Sequence, residues 1–233
     1  MKVSLVVYAW NEIESMQIIM PQIKKEWYDQ LVIIDGGSTD GTFEWAQAQG
    51  YEIYKQQEPR WIGAYKEAFK RATGDIIIDF SPDGNSLSEK IPVLVDKIKE
   101  GYDLVIASRY KDGAKSEDDS WVTGFGNWMF TTLVNLLFGG HYTDVLVIYR
   151  AYRKSVLKEC ELDVNPHYTF TETLAIRCAK LKKRTADIPA DEPKRIAGGR
   201  KLNVLGDGWA NLMTLLEELI HYKIKPEQAK EVA

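Results

Sequence analysis

The sequence predicts an α/β fold in which a mostly parallel central sheet is flanked by helices. Three short apolar runs carry this prediction, because each is rich in β-branched residues and is followed by a polar loop and a helical pattern: 3–7, 31–34 and 75–79. The polar side chains therefore stand where the strands end. In open α/β sheets ligands bind outside the carboxyl ends of the strands, so we expect the three loops to line one crevice.

The loop after the second strand, 35-DGGSTDGT-42, holds two carboxylates among small residues. Asp35 is expected at the end of the strand, and the glycines that follow it allow a sharp turn. Residues 38–40 offer N-caps for a helix over Thr42–Ala48. Two interpretations stay open for an isolated loop of this kind. It grips a polar ligand, or Asp35 merely closes the turn while Asp40 caps the helix.

The first and third strands lead into loops of similar character. Residues 9–12 follow the first strand and precede a helical segment towards Lys25, and residues 80–89 lie between the third strand and a helix over 89–99. We expect Glu12, Asp35 and Asp83 to converge, although a role for Glu12 in complementing the dipole of its own helix is an alternative.

Six short segments occur in order along residues 3–203: Tyr8-Ala9-Trp10-Asn11-Glu12, the 35–42 loop, Ser81-Pro82-Asp83-Gly84-Asn85, Ser108-Arg109-Tyr110, Asp144 with Tyr149-Arg150, and 195-RIAGGRK-201. This series resembles the motifs of the inverting family 2 glycosyltransferases with the GT-A fold, within them the dolichyl-phosphate mannosyltransferase branch. Three positions depart from the family pattern, because Tyr8 replaces a proline while Gly36 and Ser81 each replace an aspartate. The resemblance implies a GT-A domain over residues 1–203 and a C-terminal helical extension and tail over 204–233.

The resemblance also implies a donor site for a UDP- or GDP-sugar and a divalent cation, Mg²⁺ or Mn²⁺. Such a cation prefers oxygen ligands and neutralises the diphosphate leaving group. Asp83 is implied as the main protein ligand and Asn85 as its helper. Asp79 lies on the strand two residues before Ser81 and could compensate for the missing aspartate, unless strand alternation turns its side chain elsewhere. Carboxylates accept hydrogen bonds from the hydroxyl and N–H groups of a nucleoside. The implied donor-binding set is Ala9, Asn11, Glu12, Asp35, Gly37, Asp40, Ser81 and Asp83.

The acceptor implied by the resemblance is a polyprenyl phosphate. A phosphate acceptor is already an anion and needs cations to position it, whereas a hydroxyl acceptor needs a base to remove its proton. Guanidinium groups suit phosphate oxygens, and basic residues fall in the matched motifs: Arg109, Arg150, Arg195, Arg200 and Lys201. The implied catalytic set is Asp83, Arg109, Glu172, Arg195 and Lys201.

Two alternatives and one further departure from the family pattern stand beside this interpretation. Glu172 is the candidate base if the acceptor is a hydroxyl, and it is otherwise a solvated helical residue. Because Ser81 replaces a metal carboxylate, a non-catalytic nucleotide-sugar-binding protein is the second alternative. The further departure is that residues 121–127 are largely apolar, where relatives that bind dolichyl phosphate carry basic and hydroxyl residues, and this weakens the case for a lipid phosphate.

Two apolar helical segments bear on the acceptor. Residues 128–138 are too few to span a bilayer, which takes roughly 20 residues. A C-terminal amphipathic helix begins near Leu205, and its polar face is acidic. Both segments could lie at a membrane surface near a lipid, but the acidic face makes core packing or a dimer face the preferred expectation.

Composition is consistent with one α/β domain and a helical extension, since 45% of the 233 residues are hydrophobic. The net charge of −4 argues against a nucleic-acid partner. Cys160 and Cys178 are too few for a disulfide framework, so we expect a cytoplasmic protein, peripheral on the inner membrane face if the acceptor is a lipid. Residues 111–119 are expected to form a mobile loop, and residues 191–203 a loop that closes over phosphate.

Overall fold

A computed structural model describes residues 1–162, 169–199 and 203–220. These residues form a seven-stranded sheet of order β3-β2-β1-β4-β6-β5-β7. The strands are β1 Val3–Ala9, β2 Gln30–Asp35, β3 Glu52–Lys55, β4 Ile76–Phe80, β5 Leu104–Ser108, β6 Arg150–Arg153 and β7 Thr185–Pro189. The predicted α/β class with a mostly parallel sheet is confirmed.

The pairing of the strands brings the predicted loops to one edge of the sheet. Ala9 pairs with Asp35, and Asp35 pairs with Lys55, so β1, β2 and β3 end side by side. β4 is parallel to β1, and β7 is parallel to β5, whereas β6 is antiparallel to both β4 and β5. The carboxyl ends of six strands therefore point to the same edge.

The helices are α1 Ile13–Ile19, α2 Thr42–Ala48, α3 Arg60–Arg71, α4 Lys90–Lys99, α5 Trp121–Phe138, α6 Lys154–Glu159, α7 Phe170–Lys180 and α8 Val204–Ile220. The first helix is shorter than predicted, because Pro21 opens a 3-10 turn directly after Ile19 and has no N–H to continue an α-helix. The helix predicted from residue 128 begins earlier, at Trp121, where the Ser120 hydroxyl accepts a hydrogen bond from the Thr123 amide.

Both faces of the sheet are buried, which explains why the strands are continuously apolar. One core contains Val6 and Ile77 together with residues of α3, α5 and α7. The other contains Val7 and Ile78 together with residues of α1, α2 and α4. The sequence signal for strands was strong because every central strand is covered on both sides.

The C-terminal helix α8 packs on the domain through a few buried residues. Leu215 joins the first core, and the Glu218 carboxylate pairs with Arg177 and Lys180 of α7. Much of its apolar surface is nevertheless exposed, as is that of α5: Leu205, Trp209, Leu212, Met213, Leu216, Leu219 and Ile220 on α8, and Trp121, Val122, Phe125, Trp128, Leu136 and Leu137 on α5. The expectation of core packing is therefore wrong for the exposed side chains within residues 128–138 and on α8, and a dimer face stays a prediction. Within the described ranges, every helix is too short or too polar to span a bilayer.

Candidate active site

The loops after β1 and β2 are joined by hydrogen bonds into one surface. Asn11 adopts a left-handed conformation with φ of 54°, and its amide donates to the Ser38 hydroxyl at 2.9 Å. In return, the Thr39 amide donates to Oδ1 of Asn11 at 2.8 Å. Asparagine tolerates this conformation better than most residues, so its side chain and its backbone both favour this connection between the two loops. Ala9 ends β1 beneath it, where its carbonyl accepts from the Gly36 amide.

A second joint connects the starts of α1 and α2. The Glu12 amide donates to Oγ1 of Thr42 at 2.9 Å, and that hydroxyl donates to Asp40 at 2.6 Å. Asp40 also accepts from the Ile13 amide at 3.2 Å. Burial by itself raises the pKa of the Asp40 carboxyl, but the hydrogen bonds from Thr42 and Ile13 outweigh it and lower the pKa below its usual value. Asp40 is therefore an exposed, ionised carboxylate at the mouth of the crevice.

Asp35 is fully buried and is used within its own loop. Its carboxylate accepts from the Gly37 amide at 2.9 Å and from the Ser38 amide at 3.1 Å. Gly37 has φ of 90°, and a Cβ added there would meet nothing within 4 Å, so the loop is open to a ligand at this point. These contacts match the interpretation in which Asp35 closes the turn. A direct contact from Asp35 to a nucleoside stays a prediction.

The loop after β4 holds the predicted metal ligands close together. Asp83 is buried, and its Oδ1 accepts from the Asn85 amide at 3.1 Å. Between them Gly84 has φ of 96°, and a Cβ added there would lie 2.7 Å from Ile196, so only glycine fits. Oδ1 of Asn85 is buried and has no hydrogen-bond partner among the described residues. A buried amide oxygen of this kind is a candidate cation ligand.

Arg195 faces this loop from the segment after β7. Its Nη1 lies 3.2 Å from Oδ2 of Asp83, and its Nε donates to Oδ2 of Asp118 at 3.2 Å. Nδ2 of Asn85 donates to the same oxygen of Asp118 at 3.2 Å. The structure thus brings Asp83, Asn85 and Arg195 together. Ser81 lies at the start of the same loop, directly after β4.

Arg109 lies deeper and is surrounded by carboxylates. Its Nε and Nη2 form a two-pronged contact with Asp144 at 2.7 and 3.0 Å, while its Nη1 reaches Asp119 at 3.2 Å and Glu192 at 3.5 Å. Burial lowers the pKa of Arg109, but the charges of Asp144, Glu192 and Asp119 raise it well above its usual value. Arg109 is therefore a permanent cation that organises three loops, and contact with phosphate would require it to give up a partner.

The loop over residues 111–119, which was expected to be mobile, is joined by backbone hydrogen bonds to the segment after β7. The Glu117 amide donates to the Glu192 carbonyl at 2.8 Å, and the Glu192 amide donates to the Lys115 carbonyl at 2.9 Å. The mobility expected for residues 111–119 stays a prediction. Sequence reasoning missed the three carboxylates that these loops bring to the site, Asp118, Asp119 and Glu192. The acidic run 117-EDD-119, directly before a helix start, was the available signal.

Two further predicted residues are fully buried. Arg150 is fully buried, and its guanidinium donates to the carbonyls of Thr171, Val145 and Val147. It is thus committed to the backbone. Glu172 is also fully buried, so its interpretation as a solvated helical residue is wrong. Lys201, like Arg200, lies outside the described residues.

Burial raises the pKa of Glu172 well above its usual range, and the charge of Glu218 raises it further. Neither carboxyl oxygen of Glu172 has a hydrogen-bond partner among the described residues. An isolated buried carboxyl of this kind favours its neutral form. A protonated carboxyl is much less basic than a carboxylate, so in its neutral form Glu172 is a poor general base.

Asp79, the suggested substitute ligand, is used inside the protein. Its Oδ1 accepts from the hydroxyls of Tyr8 at 3.0 Å and Tyr152 at 3.3 Å. Burial raises the pKa of Asp79 to about 7, although these hydrogen bonds and the charge of Arg150 offset part of the effect. Tyr8, which replaces the proline of the family motif, therefore supplies a partner for a buried acid.

Comparison with known proteins agrees with this geometry. The family described as Glycosyl transferase family 2 matches residues 4–161. Undecaprenyl-phosphate mannosyltransferase of Micrococcus luteus is 26% identical over 228 residues, with 91% of this chain and 93% of that protein covered. Glycosyltransferase AglJ of Haloferax volcanii is 26% identical over 211 residues, with 88% of this chain and 68% of that protein covered.

Solved structures show the same fold. Glucosyl-3-phosphoglycerate synthase from Mycobacterium tuberculosis, in complex with UDP, superposes with a TM-score of 0.71 at 23% identity, covering 94% of this chain and 80% of that one. The same enzyme in complex with Mn²⁺, UDP-glucose and phosphoglyceric acid gives a TM-score of 0.71 at 23% identity, covering 94% and 79%. Since the family match covers more than half of the sequence and the sheet superposes on this fold, the chain belongs to glycosyl transferase family 2 and is a glycosyltransferase with the GT-A fold.

Proposed function

We propose that this glycosyltransferase uses a divalent cation to transfer a sugar from a UDP- or GDP-sugar to a polyprenyl phosphate at a membrane surface, with inversion. The observation that carries the proposal is the pairing of a loop with oxygen ligands for a cation, Asp83 to Asn85, with a guanidinium from Arg195 at the carboxyl edge of the sheet. An anionic donor and an anionic acceptor both need such positive charge.

The residues of the metal loop fit Mg²⁺ or Mn²⁺. Asp83 offers a carboxylate, and Asn85 offers an amide oxygen that is buried and lacks a hydrogen-bond partner among the described residues. The described ranges contain no group of three or more His, Cys, Asp or Glu placed to hold a metal by themselves. This agrees with Mg²⁺ chemistry, in which one or two protein oxygens act together with substrate phosphates and water. When bound, the cation would neutralise the diphosphate leaving group.

The joined loops after β1 and β2 suit the nucleoside part of the donor. Asp40 presents an ionised carboxylate at the surface, and the open side of Gly37 leaves space beside it. Asn11 and Glu12 hold the two loops in register, and Asp35 shapes the turn. The complexes of the structural relative with UDP and with Mn²⁺ and UDP-glucose support this assignment of the donor side.

A phosphate acceptor fits the site better than a hydroxyl acceptor. An acceptor phosphate oxygen can attack the anomeric carbon as the bond from that carbon to the diphosphate breaks, and no proton needs to be removed. Glu172, the base that a hydroxyl acceptor would need, is buried and favours its neutral form. The name of the Micrococcus luteus relative, undecaprenyl-phosphate mannosyltransferase, supports a polyprenyl phosphate.

The exposed apolar surface of α5 and α8 supports a lipid acceptor. Trp121, at the start of α5, is 83% exposed. It lies two residues after Asp119, which contacts Arg109. Leu205, at the start of α8, is 87% exposed. Tryptophan and leucine side chains of this kind suit the boundary between lipid headgroups and acyl chains. We therefore assign this surface to a peripheral contact with the membrane that contains the acceptor.

Titration calorimetry of UDP and GDP, each with Mn²⁺ and with EDTA, tests the donor site. We expect one nucleotide to bind tightly only with Mn²⁺, and Asp83→Ala to reduce that affinity to the EDTA level while the melting temperature is kept. Glu117→Ala, which removes an exposed carboxylate from a nearby loop, is the matched control and should bind normally. Metal-independent binding, or normal binding by Asp83→Ala, would contradict the metal assignment.

Transfer to undecaprenyl phosphate in lipid vesicles tests the acceptor. We expect an acid-labile lipid-phosphate sugar as the product, with the release of free nucleotide, and we expect Glu172→Gln to keep most of this activity. Transfer to a hydroxyl acceptor that is lost in Glu172→Gln would favour the hydroxyl mechanism instead. Nucleotide binding with no turnover on any sugar donor would favour a non-catalytic binding protein.

A further inference from the structure

Asp118 contacts two residues of the proposed cation site, although it belongs to a different loop. It lies between β5 and α5, and its Oδ2 accepts from Nε of Arg195 and from Nδ2 of Asn85, both at 3.2 Å. Its side chain is 15% exposed. The guanidinium of Arg195 is therefore shared between Asp118 and Asp83.

This sharing affects how strongly Arg195 competes with a metal ion. The guanidinium of Arg195 and the cation would both bind the carboxylate of Asp83. Because both are positively charged, they repel each other when they share that carboxylate. A second carboxylate that holds Arg195 from its Nε side weakens its dependence on Asp83. Asp118 thereby keeps a positive charge beside the site and makes it easier for a cation to compete with Arg195 for Asp83.

Asp118 also sets the orientation of the Asn85 amide. Nδ2 of Asn85 is directed at Asp118 and, at 3.5 Å, at Glu192. Because the amide oxygen and nitrogen point in different directions, Oδ1 is turned away from these carboxylates and has no hydrogen-bond partner among the described residues. Partners that orient a metal ligand in this way commonly change metal affinity by about 10- to 100-fold when they are removed.

The loop that carries Asp118 is held firmly on both sides. Glu117 is paired through its backbone with Glu192, and the Asp119 amide donates to the Ser116 hydroxyl at 2.9 Å while the Asp119 carboxylate contacts Arg109. The residues on both sides of Asp118 are thus anchored, and its carboxylate is held by Asn85 and Arg195. Such support is what an orienting residue needs.

We propose that Asp118 is a positioning residue of the cation site, which acts by sharing the guanidinium of Arg195 with Asp83 and by orienting Asn85. The inference rests on the proposed function, because it assigns a role to Asp118 only if Asp83 and Asn85 bind a cation. Asp118 itself contacts neither the reacting sugar nor the cation in this proposal.

The test measures the affinity for Mn²⁺ alone, from the electron paramagnetic resonance signal of free Mn²⁺. Asp118→Asn keeps an oxygen that accepts from Asn85 but removes the charge that holds Arg195. We expect it to raise the Kd for Mn²⁺ by about tenfold. Asp118→Glu should restore part of the affinity, and Glu117→Gln, on the adjacent residue, should change nothing. An unchanged melting temperature in Asp118→Asn shows that the fold is kept.

The same substitution in an Arg195→Ala background separates the proposal from a simple charge effect. If Asp118 acts through Arg195, Asp118→Asn should then change the Kd for Mn²⁺ by less than about twofold, which is a double-mutant test of coupling. A full loss in that background would overturn the proposal, since it would make Asp118 a direct ligand or a plain negative charge. Normal Mn²⁺ binding by Asp118→Asn alone would also overturn it. Absence of Mn²⁺ binding by the wild-type protein would instead contradict the proposed function itself.

Discussion

The two sides of the crevice are held together by different interactions. After β1 and β2, the loops are joined by hydrogen bonds to backbone amides, such as those of Thr39 and Glu12. After β4, β5 and β7, the loops are joined by ion pairs, of which Arg109 with Asp144 and Arg195 with Asp83 are examples. Hydrogen bonds to backbone amides fix one geometry, whereas an ion-pair network can redistribute its charges when a cation and a diphosphate bind. The loops after β1 and β2 thus suit recognition of the shape of a ligand, and the loops after β4, β5 and β7 suit binding of its charged groups.

Asp144→Ala, on the ion-paired side of the crevice, should lower the free energy of unfolding the most. Asp144 is fully buried, and it holds Arg109 through two side-chain contacts while it also accepts from the Arg109 and Val147 amides. Its removal leaves a buried guanidinium without its main partner, which costs about 3–5 kcal/mol. Denaturant unfolding should show a loss of this size. Glu58→Ala is the control, because it breaks an ion pair with Lys66 whose side chains are 50% and 43% exposed, and it should cost less than about 1 kcal/mol.

Asp79→Asn extends the comparison to a buried carboxylate that is held by tyrosine hydroxyls and not by direct contact with a guanidinium. The variant measures how much the ionisation of such a carboxylate lowers the free energy of unfolding. The folded pKa of Asp79 is raised to about 7, above an unfolded value of about 3.9. The folded state therefore binds this proton more tightly, and the stability that it contributes is present at low pH and is lost as the pH rises towards 7. The amide in Asp79→Asn does not ionise, so the variant would carry no such penalty at any pH.

We expect the free energy of unfolding of Asp79→Asn, relative to wild type, to rise between pH 4 and pH 8 by up to about 4 kcal/mol. Urea unfolding at several pH values measures this difference. Asp96→Asn, at an exposed position on α4, is the matched control. A flat difference for Asp79→Asn would mean that Asp79 is not a buried neutral acid.

Asn11→Ala tests the hydrogen-bonded loops after β1 and β2, and it should lower the free energy of unfolding the least. The substitution removes the acceptor for the Thr39 amide and places alanine at a φ of 54°, for a total loss of about 1–2 kcal/mol. Asn11→Gly removes the same acceptor but accepts the backbone conformation, so it should lose less. Thermal unfolding separates the two contributions. Equal losses in both variants would show that the hydrogen bond alone matters.

Prediction from the sequence worked best where the information is local. The helix over Thr42–Ala48 begins and ends where the pattern placed it, because the glycines, the aspartate and the apolar spacing lie within one short stretch. It worked less well for Arg150, which belongs to a matched motif but donates from its guanidinium to backbone carbonyls in the interior. Residue type and motif order do not reveal which partner a buried charge meets, since that partner comes from a distant part of the chain.

The sequence by itself determined the α/β class, the strands with their polar ends, and the grouping of Asp83 with Asn85 in one loop. These features depend on periodicity and on neighbours within a few residues. Only the tertiary structure decided that Asp118 and Glu192 join the site, that Glu172 is buried, and that Asp79 faces Tyr8 rather than solvent. Those outcomes depend on which loops meet after the sheet has formed. Contacts between residues that are far apart in the chain arise from the packing of the whole domain, and no local pattern records them.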